Sequence, residues 1–165
     1  MPDSIPEGVA GAPSAVFYRP PTGRSARAFN SAVAWLARHG ISVYGSAELV
    51  VVGRTSGAPR RVAVNPLTVG GERFLVAPRG TTQWVCNIRA AGGHAELRLG
   101  QRTERFIGVE LADDDPLAID VLREYVRRWG WEVKSMLPEP VEADADAAQL
   151  ARVATQLPMF RVVSV

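Results

Sequence analysis

The stretch HAELRLGQRTERFIGVEL, residues 94–111, holds two β-forming runs separated by Gly100-Gln101. A two-residue link between strands needs backbone that accepts positive φ, so the glycine marks a tight hairpin. Ala95, Leu97 and Leu99 alternate with His94, Glu96 and Arg98, and Ile107, Val109 and Leu111 keep one phase in the partner run. Such alternation predicts one buried and one wet face. Phe106 breaks the phase and is expected to point outward, under a helix or into an interface.

Working outward, the period of two persists through the centre of the chain. Glu48 to Gly53, Arg61 to Val69 and Arg73 to Pro78 read as strands, and Gly70-Gly71 links the second to the third. Asn65-Pro66 interrupts the alternation of Val62, Val64, Leu67 and Val69, and proline cannot donate to a ladder, so a bulge or an edge is predicted there. Gln83 to Ala91 has the length of a short helix between Arg79-Gly80 and Gly92-Gly93. Asp115-Pro116 opens a longer one carrying Leu117, Val121, Leu122, Tyr125 and Trp129. An acidic helix is expected from about Glu142 to Gln156 and a closing strand from Met159 to Val165.

Toward the N-terminus, Phe29, Val33, Leu36 and Ala37 recur at helical spacing between Ser25 and His39, with Gly40 as the stop. Residues 1–21 are rich in Gly, Pro, Ala and Ser, which predicts a flexible arm before a single domain over 22–165. The order of elements predicts an α+β, mainly β chain: an antiparallel barrel with flanking helices.

Composition sets the outer bounds. A chain of 165 residues buries about 70% of its unfolded surface, enough for one core. With 47% hydrophobic and 22% charged residues it is neither a disordered chain nor a membrane-spanning one, and no apolar run approaches a transmembrane segment, so a cytoplasmic location is expected. Cys86 is the only cysteine and the histidines, His39 and His94, stand far from any ligand cluster, so no structural metal is implied. Lys134 is the only lysine, leaving arginine to carry nearly all the positive charge.

Two segments concentrate chemistry. GRTSGAPRR, residues 53–61, places three arginines, two hydroxyls and a glycine-bearing turn between β segments. Forked guanidinium donors and convergent amides suit an anion, although solvated arginines that merely blunt a β-turn read the same way. VAPRGTTQW, residues 76–84, leaves a strand and enters a helix, followed by Asn87 and Arg89. Its amides can face a ring edge or an anion while Trp84 walls a pocket; equally, Trp84 and Ile88 can be core anchors and Asn87 a cap.

Together with the closing LPMFRV, residues 157–162, these segments resemble the deazaflavin-dependent nitroreductase family. Its pattern is a TGRKSG-type turn, a strand ending in a small-residue loop, and a W-x-x-N-L helix. The resemblance runs from about Val33 onward. It implies a split β-barrel like that of flavin-binding reductases, coenzyme F420 as cofactor, and hydride transfer to a small organic acceptor such as a nitro or unsaturated compound. It assigns Arg54, Thr55, Ser56, Arg60, Arg61, Val62, Ala63, Val64 and Asn65 to the phosphate-bearing side chain and its surroundings. Val76, Ala77, Pro78 and Arg79 would lie along the ring, and Trp84, Val85, Cys86, Asn87 and Ile88 would complete the pocket. Many relatives carry lysine at the position of Thr55, leaving Arg61 or Arg79 to replace that cation.

Hydride chemistry asks the protein to position ring and substrate rather than to supply a covalent nucleophile, and the sequence holds no nucleophile elbow or HExxH motif. Tyr44, Tyr125, Ser56 or solvent could return the proton. Trp129, Trp131, Met136 and Leu137 could wall the substrate or pack in the core. A flavin mononucleotide reductase on the same barrel and a non-catalytic cofactor carrier are the alternatives. Nucleic acid is disfavoured because Glu96, Glu104, Glu110 and Asp113 to Asp115 interleave the basic residues. Monomer and homodimer are left open.

Overall fold

The computed structural model describes residues 16–20 and 45–165. The helix expected between Ser25 and His39, and Tyr44, lie outside the described residues. These described residues hold seven strands: β1 (Ala47–Val52), β2 (Pro59–Val64), β3 (Leu67–Val69), β4 (Glu72–Val76), β5 (His94–Leu99), β6 (Arg102–Glu110) and β7 (Met159–Ser164). Helix α1 (Gln83–Ala90) separates β4 from β5, and α2 (Leu117–Val133) and α3 (Ala147–Ala154) separate β6 from β7. All neighbouring strands pair antiparallel, in the order β2-β1-β5-β6-β7-β4-β3.

That order makes the sheet curl. β2 and β3 are its two outermost strands, yet only Asn65 and Pro66 separate them in the chain. Three Cα steps reach at most about 11 Å, whereas the outer strands of a flat sheet of this size would stand about 28 Å apart. The edges must therefore meet, and the sheet forms a split barrel. The expected single strand over Arg61 to Val69 is thus two strands on opposite edges, and Pro66 sits where no ladder partner is needed.

Two apolar cores result. Inside the barrel, Leu49, Val51, Leu75, Leu97, Phe106 and Phe160 pack with Trp84, Val85 and Ile88 of α1, whose helix plugs the interior. Outside, α2 and α3 cover the other face of β3 and β4, where Leu67, Phe74 and Val76 meet Leu122, Val126, Trp129 and Leu150. Buried residues of α2 recur as Ala118, Val121, Leu122, Tyr125, Val126, Trp129 and Val133, the stripe its sequence predicts.

Phe106 corrects an expectation. It pairs across the hairpin with Ala95 and is fully buried in the barrel, while Ile107 pairs with His94 on the other face and Val109 is 49% exposed. The small Ala95 leaves room opposite it for the large ring.

The long helix starts one residue later than its signal, with Pro116 as N-cap rather than first helical residue, while Oδ1 of Asp115 accepts from the amide of Leu117 at 2.9 Å. The acidic helix is shorter than expected and begins at Ala147, where Oδ1 of Asp146 accepts from the Gln149 amide at 2.8 Å. Among the described residues no helix is long and apolar enough to cross a membrane.

Candidate cofactor groove

A groove of about 760 Å³ opens where the two sheet edges approach, between the turn after β1, the loop after β4, α1 and the end of α2. Its basic wall is the turn 53–58, closed by the Gly53 amide on the Ala58 carbonyl (2.8 Å) and the Gly57 amide on the Gly53 carbonyl (2.8 Å). Gly53 is required by proximity, because a Cβ there would stand 2.9 Å from Ser56 Oγ and 3.2 Å from the Ala58 carbonyl oxygen.

Asn87 of α1 anchors this wall. Its Oδ1 accepts from the Arg54 amide at 3.2 Å and from the Arg54 guanidinium at 3.0 Å, and Gln83 Oε1 accepts from the same guanidinium at 2.9 Å. Arg60 donates to Ser56 Oγ at 3.2 Å, and Arg79 to the Pro20 carbonyl at 3.4 Å. These three arginines thus meet only neutral acceptors among the described residues. Arg61 differs: it donates to Glu48 at 3.1 Å, a carboxylate with no exposed surface that Arg98 also approaches at 3.6 Å. Among the described residues, the groove cations without a carboxylate partner are therefore Arg54, Arg60 and Arg79, and of the two proposed replacements for a lysine at Thr55, Arg61 is the one matched to a carboxylate there.

Of the residues expected at the site, Arg54, Thr55, Ser56, Arg60 to Asn65, Val76, Pro78, Arg79, Trp84 and Asn87 line the groove. Ala77, Val85 and Ile88 do not, since they are fully buried and belong to the barrel core beneath it. Cys86 is half-buried and does not line the groove. α1 explains the split, because its groove-side residues Gln83, Trp84 and Asn87 fall three and four apart while Val85 and Ile88 point inward. Trp84 joins wall to core, its ring lying 5.6 Å from that of Phe160.

The far wall comes from α2. At Trp129 the helix departs from helical geometry, with φ −129° and ψ 16°, just before Gly130. Beyond this kink Glu132, Val133 and Met136 turn to the groove, joined by Tyr125 from before it. Of the aromatic and apolar group considered for a substrate wall, only Met136 lines it. Trp129 and Leu137 are buried in the outer core, and Trp131 is 68% exposed. The phenol of Tyr125, buried beside Glu132, is pushed well above its ordinary value mainly by loss of hydration.

Sequence reasoning missed Tyr18 and Glu132. Residues 16–20, read as part of a flexible arm, run against the loop after β4. Tyr18 bridges to Gly80, the Thr81 amide donates to the Phe17 carbonyl at 2.9 Å, the Arg19 amide donates to the Arg79 carbonyl at 2.9 Å, and the Arg19 side chain donates to the Ser135 carbonyl at 2.6 Å. Nothing local in the sequence marks these contacts.

Fold and groove together define a split-barrel protein with an arginine-walled cleft floored by Val64, Val76 and Trp84. Residues 28–135 match the family model described as F420H(2)-dependent quinone reductase, which is more than half of the sequence, and the chain belongs to that family. It is accordingly an oxidoreductase of the F420-dependent reductase class. The cofactor expected from the three motifs and that of the family description agree, and the match gives no support to flavin mononucleotide. No curated protein matches the chain. Among solved structures, the Agrobacterium tumefaciens protein Atu2129, of unknown function, shares 17% identity over 88% of this chain with a TM-score of 0.49, and the chain spans 59% of that protein's length. A protein described as an F420 reductase shares 16% identity over 79% of this chain and 91% of its own, with a TM-score of 0.44. The F420-H2 dependent reductase FDR-A shares 21% over 72% and 93%, with a TM-score of 0.41.

Proposed function

We propose that the chain binds reduced F420 along this groove and reduces a small organic acceptor, a quinone being the first candidate and nitro or unsaturated compounds the next. The observation that carries the reading is the trio Arg54, Arg60 and Arg79, which line the groove without a carboxylate partner among the described residues. The residues present fit a cofactor with a flat ring and an anionic tail. Arg54, Thr55, Ser56 and Arg60 would hold the phosphate, with Arg79 available to the acidic extension, and Val76, Pro78 and Trp84 would hold the ring.

When bound, the reduced deazaflavin supplies the hydride. The chain's own part is to orient and to exclude water. Asn87 fixes the Arg54 wall before any ligand arrives, so less ordering remains to be done on binding. The apolar floor keeps the ring side dry, and the half-open mouth leaves a second berth for the acceptor between Tyr18, Met136 and Glu132.

Fluorescence titration of the purified protein with F420 and with flavin mononucleotide, across a salt series, tests the reading. Exposed charges are screened over about 10 Å at 0.1 M salt, so F420 affinity should fall as salt rises. Flavin mononucleotide, lacking the glutamate extension, should bind more weakly and respond less. Equal or tighter binding of flavin mononucleotide would overturn the assignment.

A further inference from the structure

The groove is electrically lopsided. Arg54, Arg60 and Arg79 stand toward the turn, and Glu132, the single carboxyl that lines it among the described residues, stands at the far wall on the turn of α2 re-aimed by the Trp129 kink. Glu132 is half-buried and sits with the Asn65 amide and the Tyr125 phenol, all three lining the same cavity. The other titratable groups facing this cavity are Tyr18 from the N-terminal strap, Arg54 and Arg79 from the loops, and Arg60 and Arg61 from β2. None of them is paired with Glu132 within 4 Å.

We propose that Glu132 is a catalytic residue, the acid that delivers the proton to the acceptor as it is reduced. This rests on the cofactor reading above. Reducing a carbonyl-type acceptor by two electrons takes one hydride and one proton. The hydride comes with the family's established chemistry. The proton leaves Glu132: its carboxyl O–H bond breaks, an O–H bond forms on the acceptor oxygen, and the carboxylate left behind regains a proton from water through the groove mouth.

The surroundings support the role. Loss of hydration raises the Glu132 carboxyl above the ordinary carboxylate range, and Asn65, within hydrogen-bonding reach, draws it part of the way back. A carboxyl held between those two influences keeps its proton closer to neutrality, as a general acid requires. Asn65 is placed to do this because it lies at the crossing between the two sheet edges, opposite the end of α2. Tyr125 cannot take the same part as readily, since its burial holds the proton in place.

Two measurements test the assignment. The first needs no cofactor: a carbon-13 titration of the glutamate carboxyls in the apo protein, with the Glu132 signal identified by its loss in Glu132→Gln. Its midpoint should lie above the ordinary glutamate range and rise further in Asn65→Leu, and an ordinary midpoint overturns the proposal. The second is single-turnover oxidation of bound reduced F420 by a water-soluble benzoquinone. Wild type should slow as pH rises through the Glu132 midpoint. Glu132→Gln should bind F420 with unchanged affinity, lose that limb and react about 100-fold more slowly; Glu132→Asp should recover part of the rate and keep a limb. If wild type binds no F420, the cofactor reading and this one fall together. If F420 binds and Glu132→Gln matches wild type in rate and pH profile, this proposal alone falls.

Discussion

Oδ1 of Asn87 accepts both the backbone amide and the guanidinium of Arg54, at 3.2 and 3.0 Å. One buried side chain thereby fixes the position of the turn and the direction of its first cation. Asn87 is 5% exposed, so an apolar replacement would leave the Arg54 amide without this acceptor. Asn87→Leu should lower stability by about 1–3 kcal/mol and weaken F420 binding about tenfold. Asn87→Asp should fold better but still bind poorly, because a carboxylate there would neutralise Arg54. Chemical denaturation and F420 titration on both variants check this; wild-type affinity in Asn87→Asp would sink it.

Arg54→Ala removes the cation and leaves its anchor. A charge-assisted bond to phosphate is worth about 1.5–3 kcal/mol, so the dissociation constant for F420 should rise about 10- to 100-fold with little change in folding. Unchanged affinity in a folded variant would take the turn out of the binding site.

Gly80 carries φ +79°, and a Cβ there would lie 2.0 Å from the Phe17 carbonyl oxygen. Gly80→Ala should therefore release residues 16–20 from the loop at a cost of about 1–3 kcal/mol, while the barrel stays folded. Amide exchange at Thr81, which donates to Phe17, should become fast. Retained protection would show that the strap tolerates the change.

Cys86→Ser should leave F420 affinity and turnover close to wild type, because the half-buried thiol does not line the groove and hydride transfer needs no covalent nucleophile. Steady-state kinetics with reduced F420 decide the matter: abolished turnover with normal affinity would make the thiol a participant.

The strands were legible in sequence where a turn residue and a period agreed, as at Gly100-Gln101, where β5 has the predicted bounds. Asn65-Pro66 was legible as a break, but not where the chain went next, because a change of edge leaves no local mark. Phe106 misled because Ile107, Val109 and Leu111 outnumber it, and counting a phase cannot show that β6 is partly covered on both faces. At the site, the arginine turn and the Trp84 helix were readable as motifs. Which face of α1 met the groove was not, so Ala77, Val85 and Ile88 were assigned to a pocket they only support. Tyr18 and Glu132 come from segments 114 positions apart, and only the closed barrel brings them to one cavity.

β7 occupies the slot between β6 and β4. During synthesis, every other strand leaves the ribosome before it. Until residues 159–164 emerge, the sheet exists as two rafts, β2-β1-β5-β6 and β4-β3, with β6 and β4 each showing an unpaired edge. Bare edges invite pairing with other nascent chains. The groove, whose walls belong to both rafts, cannot form until β7 slides in. Slow translation of the stretch before Met159 should therefore cost yield more than the same delay placed earlier, for the chain waits at its most adhesive stage.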